Sequence, residues 1–171
     1  MGARSAADPG PSVWGSRSPI EPLVRDLDRE TKNIVMQAYG DAPDALADLR
    51  RRGVVMAVCS NWYWDLDGAV EQAGLAGMFQ TVVTSAQAGM RKPDPRIYRH
   101  TLRRCGLLPE ETIFVGDMWG PDVQGPRAVG MRAAHLVRPD AGEDAPAAVG
   151  TGIWRVNDLP SVVDLVEDLR R

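Results

Sequence analysis

The sequence predicts an α/β fold, a parallel β-sheet with helices on both faces. Three observations predict it. Short apolar runs, several rich in valine, read as buried strands at Val54–Cys59, Phe79–Thr84, Ile113–Val115, Ala133–Val137 and Ile153–Val156. The stretches between most of them carry apolar residues at helical spacing, opened by Asp or Asp-Pro and stopped by Gly. Strands alternating with helices, without internal repeats, give a parallel sheet with right-handed crossovers.

Each element has its own justification. Met1–Ser18 is rich in Gly, Ala, Ser and Pro and reads as a disordered leader. Ile20, Leu23, Val24, Leu27, Ile34, Val35 and Ala38 predict a helix over Pro19–Ala38, with a charged break at Asp28–Lys32. Tyr39-Gly40-Asp41 closes it and caps the next helix, whose apolar face is Ala45, Leu46 and Leu49 and whose stop is Gly53. A helix through Leu66, Val70 and Ala73 follows the first strand, and ends at Gly74. The strand over Phe79–Thr84 leads into a polar loop with Gly89, Arg91, Lys92, Pro93 and Asp94. Asp94-Pro95 opens a helix running to Gly106. Val123–Val129 predicts a short helix stopped by Gly130. Pro139–Thr151 is a long Ala/Gly/Asp loop, and Asp158 caps a last helix with Leu159, Val162, Val163, Leu165, Val166 and Leu169 near its buried face.

Composition narrows the function. The chain has 171 residues, 44% of them hydrophobic, enough for one domain with a real core. A net charge of -3 without a basic stripe excludes a nucleic-acid footprint. The Arg50–Arg52 run suits a helix C-terminus. No apolar stretch reaches membrane length, and the first residues lack signal-peptide order, so no membrane partner is expected. Cys59 and Cys105 lack metal-ligand spacing and read as reduced thiols of a cytoplasmic protein.

The chemistry concentrates in Ile113–Asp122, I-F-V-G-D-M-W-G-P-D. An apolar run ends in Gly116-Asp117, and Asp122 follows on a turn built by Gly116, Gly120 and Pro121. Two carboxylates beyond a strand's carboxyl end are hard oxygen ligands suited to Mg²⁺. The plainer alternative makes Asp122 a helix cap and Asp117 a turn residue. Ser60 with Asn61 at one strand end, Lys92 in the loop, and the acidic pair should converge on one rim. A hydroxyl, a backbone amide, an ammonium and two acids make a phosphoryl site: Ser60 and the amide of Asn61 donate to phosphate oxygens, Lys92 neutralises them, and Asp117 and Asp122 hold Mg²⁺. Arg91 reads as a surface charge. Trp62, Trp64 and Trp119 either wall a pocket or pack between loops and helices.

These motifs resemble the haloacid dehalogenase-like (HAD) hydrolase superfamily. V-V-M-A-V-C-S-N resembles its second motif, G-M-R-K-P-D-P-R-I-Y its third, and I-F-V-G-D-M-W-G-P-D-V-Q-G-P-R-A-V-G-M its fourth, over roughly Ala42 to Val137. The resemblance implies a Rossmann-like three-layer core over 41–171, with 19–40 as the remnant of a helical cap. It gives Ser60 and Lys92 catalytic roles, with Ser60, Asn61 and Lys92 binding phosphate and Asp117 and Asp122 the metal. It also implies an aspartyl-enzyme intermediate, a second aspartate as general acid and base, and Mg²⁺ in the phosphatases but not in the dehalogenases. The acidic pair favours a phosphatase acting on a small phosphorylated metabolite. The alternative is a non-catalytic protein that binds a phosphorylated ligand or partner. A receiver domain orders similar groups differently, and a nicotinamide-binding domain needs a glycine-rich turn that is absent here.

The family's first motif, an apolar strand running into Asp-x-Asp-x-Thr, is missing. Asp26-Leu27-Asp28-Arg29-Glu30-Thr31 has an extra residue before Thr31 and no apolar run before it, so Asp26 and Asp28 read as solvated helix-face charges. In the family that strand lies mid-sheet, between those ending at Ser60 and Asp117, so its loss leaves two unpaired inner edges. The strands close up, the Val13-Trp14 segment inserts, or the chain is truncated before its nucleophile. The expectation is truncation, and a chain inactive alone. Substrate identity and oligomeric state are not legible.

Overall fold

The computed structural model describes residues 36–62, 66–139 and 150–171. The leader over 1–18, nearly all of the 19–40 cap remnant, Asp26, Asp28, Trp64 and most of the Pro139–Thr151 loop lie outside them. The described residues belong to one compact unit, Met36–Arg171.

Helix α1 (Ala42–Arg51) leads to strand β1 (Ala57–Ser60), helix α2 (Leu66–Gln72) and strand β2 (Thr81–Thr84). A single turn α3 (Ser85–Ala88) and helix α4 (Pro95–Cys105) follow. Next come a 3₁₀ turn (Pro109–Glu111), strand β3 (Ile113–Gly116), a π-helical turn (Trp119–Gln124) and the short α5 (Gly125–Arg127). Strands β4 (Arg132–Leu136) and β5 (Ile153–Val156) precede the last helix, α6 (Leu159–Asp168).

Among the described residues every strand pairing is parallel, and the strands form two sheets, β1-β2 and β3-β4-β5. Ser60 stands opposite Thr84, and Gly116 opposite His135. Among the described residues no strand joins β1 to β3, and the two have not closed on each other. This three-layer α/β arrangement is the predicted fold class. On one face α4 packs Ile97, Tyr98 and Leu102 on Val83, Met131 and Phe114. On the other, α1 and α6 cover Val54, Met56, Ile113 and Val115. Val162 and Val163 of α6 are 3% and 6% exposed, each contributing about 1.5–3 kcal/mol of apolar transfer.

Several boundaries differ from the sequence reading. The ladder of β1 starts at Ala57 because β2 itself begins only at Thr81; before it, the Met56 carbonyl accepts from the Gln80 amide at 2.8 Å and the Val54 amide donates back to the Leu49 carbonyl at 3.0 Å. Met36–Tyr39, the described end of the helix expected over Pro19–Ala38, carry no regular structure. The helix expected at Val123 begins at Trp119 as a π turn, so Asp122 lies inside it and is not its cap. Asp41 precedes α1 but makes no side-chain bond to it. Its carboxylate accepts from both terminal nitrogens of Arg138, at 3.2 and 2.9 Å, and from the Leu159 amide at 2.9 Å, so it serves the first turn of α6 instead. Asp94 and Asp158 cap as predicted, accepting from the Arg96 and Ser161 amides.

Candidate active site

The ends of β1 and β3, the loop before α4 and the π-helical turn carry the four polar side chains that the motifs single out. Ser60, Lys92, Asp117 and Asp122 line one cavity of about 890 Å³ that opens between β1 and β3. The strand ends supply Ser60 and Asp117, and the π turn brings Asp122 back beneath Gly116.

Lys92 and Asp122 are the fixed pair. Lys92 Nζ donates to Asp122 Oδ1 at 2.6 Å, with the two side chains only 11% and 6% exposed. Asp122 Oδ2 accepts from the Met118 amide at 3.0 Å, which pulls the acid loop into a closed turn. Two charges that buried are tolerated because each neutralises the other and both are hydrogen-bonded. The ammonium also lies 5.0 Å from the centroid of the Phe114 ring.

Gly116 makes this turn possible. A Cβ there would stand 2.5 Å from Cγ and Oδ2 of Asp122, closer than any side chain permits. The sequence shows a glycine in a turn, but not the carboxylate pressed against it.

The Asn61 side chain has a task of its own, separate from the backbone amide expected to donate to phosphate. Its side-chain Nδ2 donates to the Lys92 carbonyl at 3.0 Å and its Oδ1 accepts from the Lys92 amide at 2.7 Å. The carboxamide thus imitates a strand partner and ties the Lys92 loop to the end of β1, beside a cis Lys92–Pro93 peptide. Ser60 Oγ and the Asp117 carboxylate make no hydrogen bond or ion pair within the described residues, and Asp117 is exposed. These two are available to a ligand.

Two supporting residues escaped the sequence reading. Tyr98 of α4, 1% exposed, donates its hydroxyl to the Pro121 carbonyl at 2.5 Å, and burial pushes its phenol above the usual range. His135 of β4, 4% exposed, sits opposite Gly116, with Nε2 3.0 Å from the Asp117 carbonyl. A carbonyl only accepts, so Nε2 is the donor of this bond, and Nδ1 is buried with no partner among the described residues. The signal for His135 was a lone imidazole in the otherwise apolar Ala133–Val137 run. Trp119 packs edge-on against that imidazole, with ring centroids 5.4 Å apart. Neither Trp62 nor Trp119 is among the residues lining the cavity. Both thiols are free, and burial pushes that of Cys59 up.

Among the described residues no cluster of three or more His, Cys, Asp or Glu suits a metal. Asp117 with Asp122 nevertheless fits the donor set of Mg²⁺, which takes one or two carboxylates and fills its other positions with water and phosphate oxygen. Asp117 is uncommitted, and each Asp122 oxygen keeps a lone pair beyond its present bond.

A model of the haloacid dehalogenase-like hydrolases matches residues 16–130. The chain is 35% identical over 151 residues to haloacid dehalogenase-like hydrolase domain-containing protein 3 of Homo sapiens, covering 88% of this chain and 59% of that one. It is 40% identical over 125 residues to a phosphoserine phosphatase of Thermus thermophilus, covering 72% and 49%. The crystal structure of a HAD phosphatase from Thermococcus onnurineus superposes with a TM-score of 0.69 at 26% identity, over 76% of this chain and 58% of that one. The chain therefore spans between half and three-fifths of the length of these relatives.

Proposed function

The chain belongs to the haloacid dehalogenase-like hydrolase family, and from that premise we propose that it carries the phosphate- and Mg²⁺-binding half of a phosphatase site. The substrate is a small phosphorylated metabolite. The observation that carries this reading is the single cavity shared by Ser60, Lys92, Asp117 and Asp122, with the buried Lys92–Asp122 pair at its centre. A phosphatase among the relatives supports the substrate class. The free thiols suit a reducing, cytoplasmic setting.

Each residue has a definite task. The Ser60 hydroxyl and the Asn61 backbone amide donate to non-bridging phosphate oxygens. Lys92 lowers the charge that an anionic nucleophile meets, and Asp122 keeps its ammonium aimed at the cavity mouth. Asp117 and Asp122 hold Mg²⁺, which when bound supplies further neutralisation of the phosphoryl group. The family's reaction needs an aspartate whose oxygen forms a bond to phosphorus while the ester oxygen leaves and takes a proton. Water then attacks phosphorus, freeing the carboxylate and inorganic phosphate. No aspartate in the motif that the family uses for this step occurs in the sequence.

A second reading, a non-catalytic protein that binds a phosphorylated ligand, is favoured by one observation. No described strand between β1 and β3 presents a carboxylate to the cavity. The experiment is hydrolysis of p-nitrophenyl phosphate with and without Mg²⁺, together with Mg²⁺-dependent binding of inorganic phosphate. Turnover that disappears in Asp117→Ala establishes the catalytic reading. Binding without turnover is the result expected of this chain by itself; turnover in a form extended upstream by an aspartate-bearing strand keeps the first reading, and its absence there establishes the second. Neither binding nor turnover ends both.

A further inference from the structure

The two acids of the site are held very differently. Lys92 and the Met118 amide fix the Asp122 carboxylate. The Asp117 carboxylate is exposed and makes no bond among the described residues. Its aim is therefore set by its backbone, and the side chain that grips that backbone is His135. Three contacts fasten the turn from Asp117 to Trp119. His135 Nε2 donates to the Asp117 carbonyl at 3.0 Å. Asp122 Oδ2 accepts from the Met118 amide at 3.0 Å. The Trp119 ring lies edge-on to the imidazole, with centroids 5.4 Å apart. One imidazole thus touches both ends of the turn. It comes from β4, where His135 is the ladder partner of Gly116, and it reaches one residue past that partner.

An imidazole at this place is costly to the fold. His135 is 4% exposed, next to Ala133 and Ala134, which are wholly buried. Its Nδ1 is buried with no partner among the described residues, and an unanswered buried polar atom lowers stability. The Asp117 carbonyl does not require the histidine for its own satisfaction, because it sits on an exposed residue where water serves as well. An apolar side chain would suit the strand better. What the imidazole adds is direction. A donor fixed in a buried strand holds the peptide of a metal-ligating residue in one orientation, as the groups behind metal ligands commonly do.

We propose that His135 is a positioning residue for the metal. Its bond to the Asp117 carbonyl, with the ring steadied by Trp119, presents the Asp117 carboxylate where it and Asp122 share one Mg²⁺. The proposal rests on the metal-binding reading given above. His135 itself touches neither metal nor phosphate and acts through Asp117 alone. It trades stability for orientation, so its removal lowers metal affinity without lowering the melting temperature.

The experiment is a Mn²⁺ titration read by electron paramagnetic resonance, with a melting curve, on the parent chain, His135→Leu and His135→Gln. Leucine fills the space without a donor, whereas the glutamine amide nitrogen stands about where Nε2 does. His135→Leu is expected to bind Mn²⁺ about tenfold or more weakly and to melt no lower than the parent. His135→Gln is expected to recover most of the affinity. Where His135→Leu fails to fold, His135→Asn takes its place, because its amide stops short of the carbonyl, and it should bind as weakly. Undiminished affinity in the donor-less variant overturns the proposal. So does a His135→Gln protein as weak as His135→Leu, since the bond is then not what counts. A melting temperature that falls and recovers in step with affinity also overturns it, by assigning the effect to the fold. A parent that binds no Mn²⁺ ends the metal-binding reading and this role with it. Binding by the parent that His135→Leu leaves unaltered ends this role alone.

Discussion

Lys92 and Asp122 hold each other in a buried ion pair. Lys92→Met removes the ammonium and leaves Asp122 buried with only the Met118 amide to answer it. The expected loss is about 3 kcal/mol in urea denaturation. Lys92→Met combined with Asp122→Asn should recover part of it, because the stranded charge is gone. Equal losses in the single and double variants would mean that the pair contributes no mutual neutralisation. Gly116→Ala drives a methyl into the Asp122 carboxylate, and the expected result is weakened Mn²⁺ binding, read by electron paramagnetic resonance, with Asp117 untouched. At this scale the sequence announces residue identity but not contact. Ser60, Lys92 and the two acids are visible as chemistry at strand ends. The grip of Asn61 on the Lys92 backbone and the hydrogen bond of His135 to Asp117 depend on which atoms the fold brings within about 3 Å.

The elements are held at the rim by side chains that link one to the next. Tyr98 ties α4 to the π turn through the Pro121 carbonyl. Tyr98→Phe keeps the ring against Phe114, 5.6 Å away edge-on, and gives up only the hydrogen bond. The expected cost is about 1 kcal/mol, with faster hydrogen exchange confined to Trp119–Gln124. Asp41 ties α1 to α6 and to the end of β4. The hydrogen bonds from Arg138, then that from Leu159, hold its carboxyl below the ordinary carboxylate range. A lowered folded-state pKa contributes stability that is whole above the unfolded value near 3.8 and fades as pH falls through the folded value. Asp41→Asn should therefore melt lower than the parent at pH 7, with the gap closing as pH falls below 3.8 and through the lowered folded-state value. A gap that persists there would assign the effect to packing. Period and capping residues made these elements legible, so α4, β5 and α6 stand where spacing put them. The π turn did not show itself, because Trp119-Gly120-Pro121 reads as a loop until Asp122 folds under Gly116.

For the whole molecule, the alternation of runs was enough to predict the parallel, two-faced architecture, and motif order was enough to place the family. What the sequence left open was the outcome of lacking a strand between β1 and β3. Three endings were conceivable, and one of them, closure of the two edges, is absent from the described residues. Tyr98 and Leu102 on one side and Val162 and Val166 on the other line the cavity between the two edges.

The central claim is that Ser60, Lys92, Asp117 and Asp122 make one metal- and phosphate-binding pocket. The most direct test is calorimetric titration of the chain with Mn²⁺ in the presence of inorganic phosphate, repeated with Asp117→Asn. The account predicts a single site in the parent protein that is lost in the variant, with phosphate binding lost alongside it. A parent protein that binds neither ion, or a variant that binds both unchanged, would contradict it.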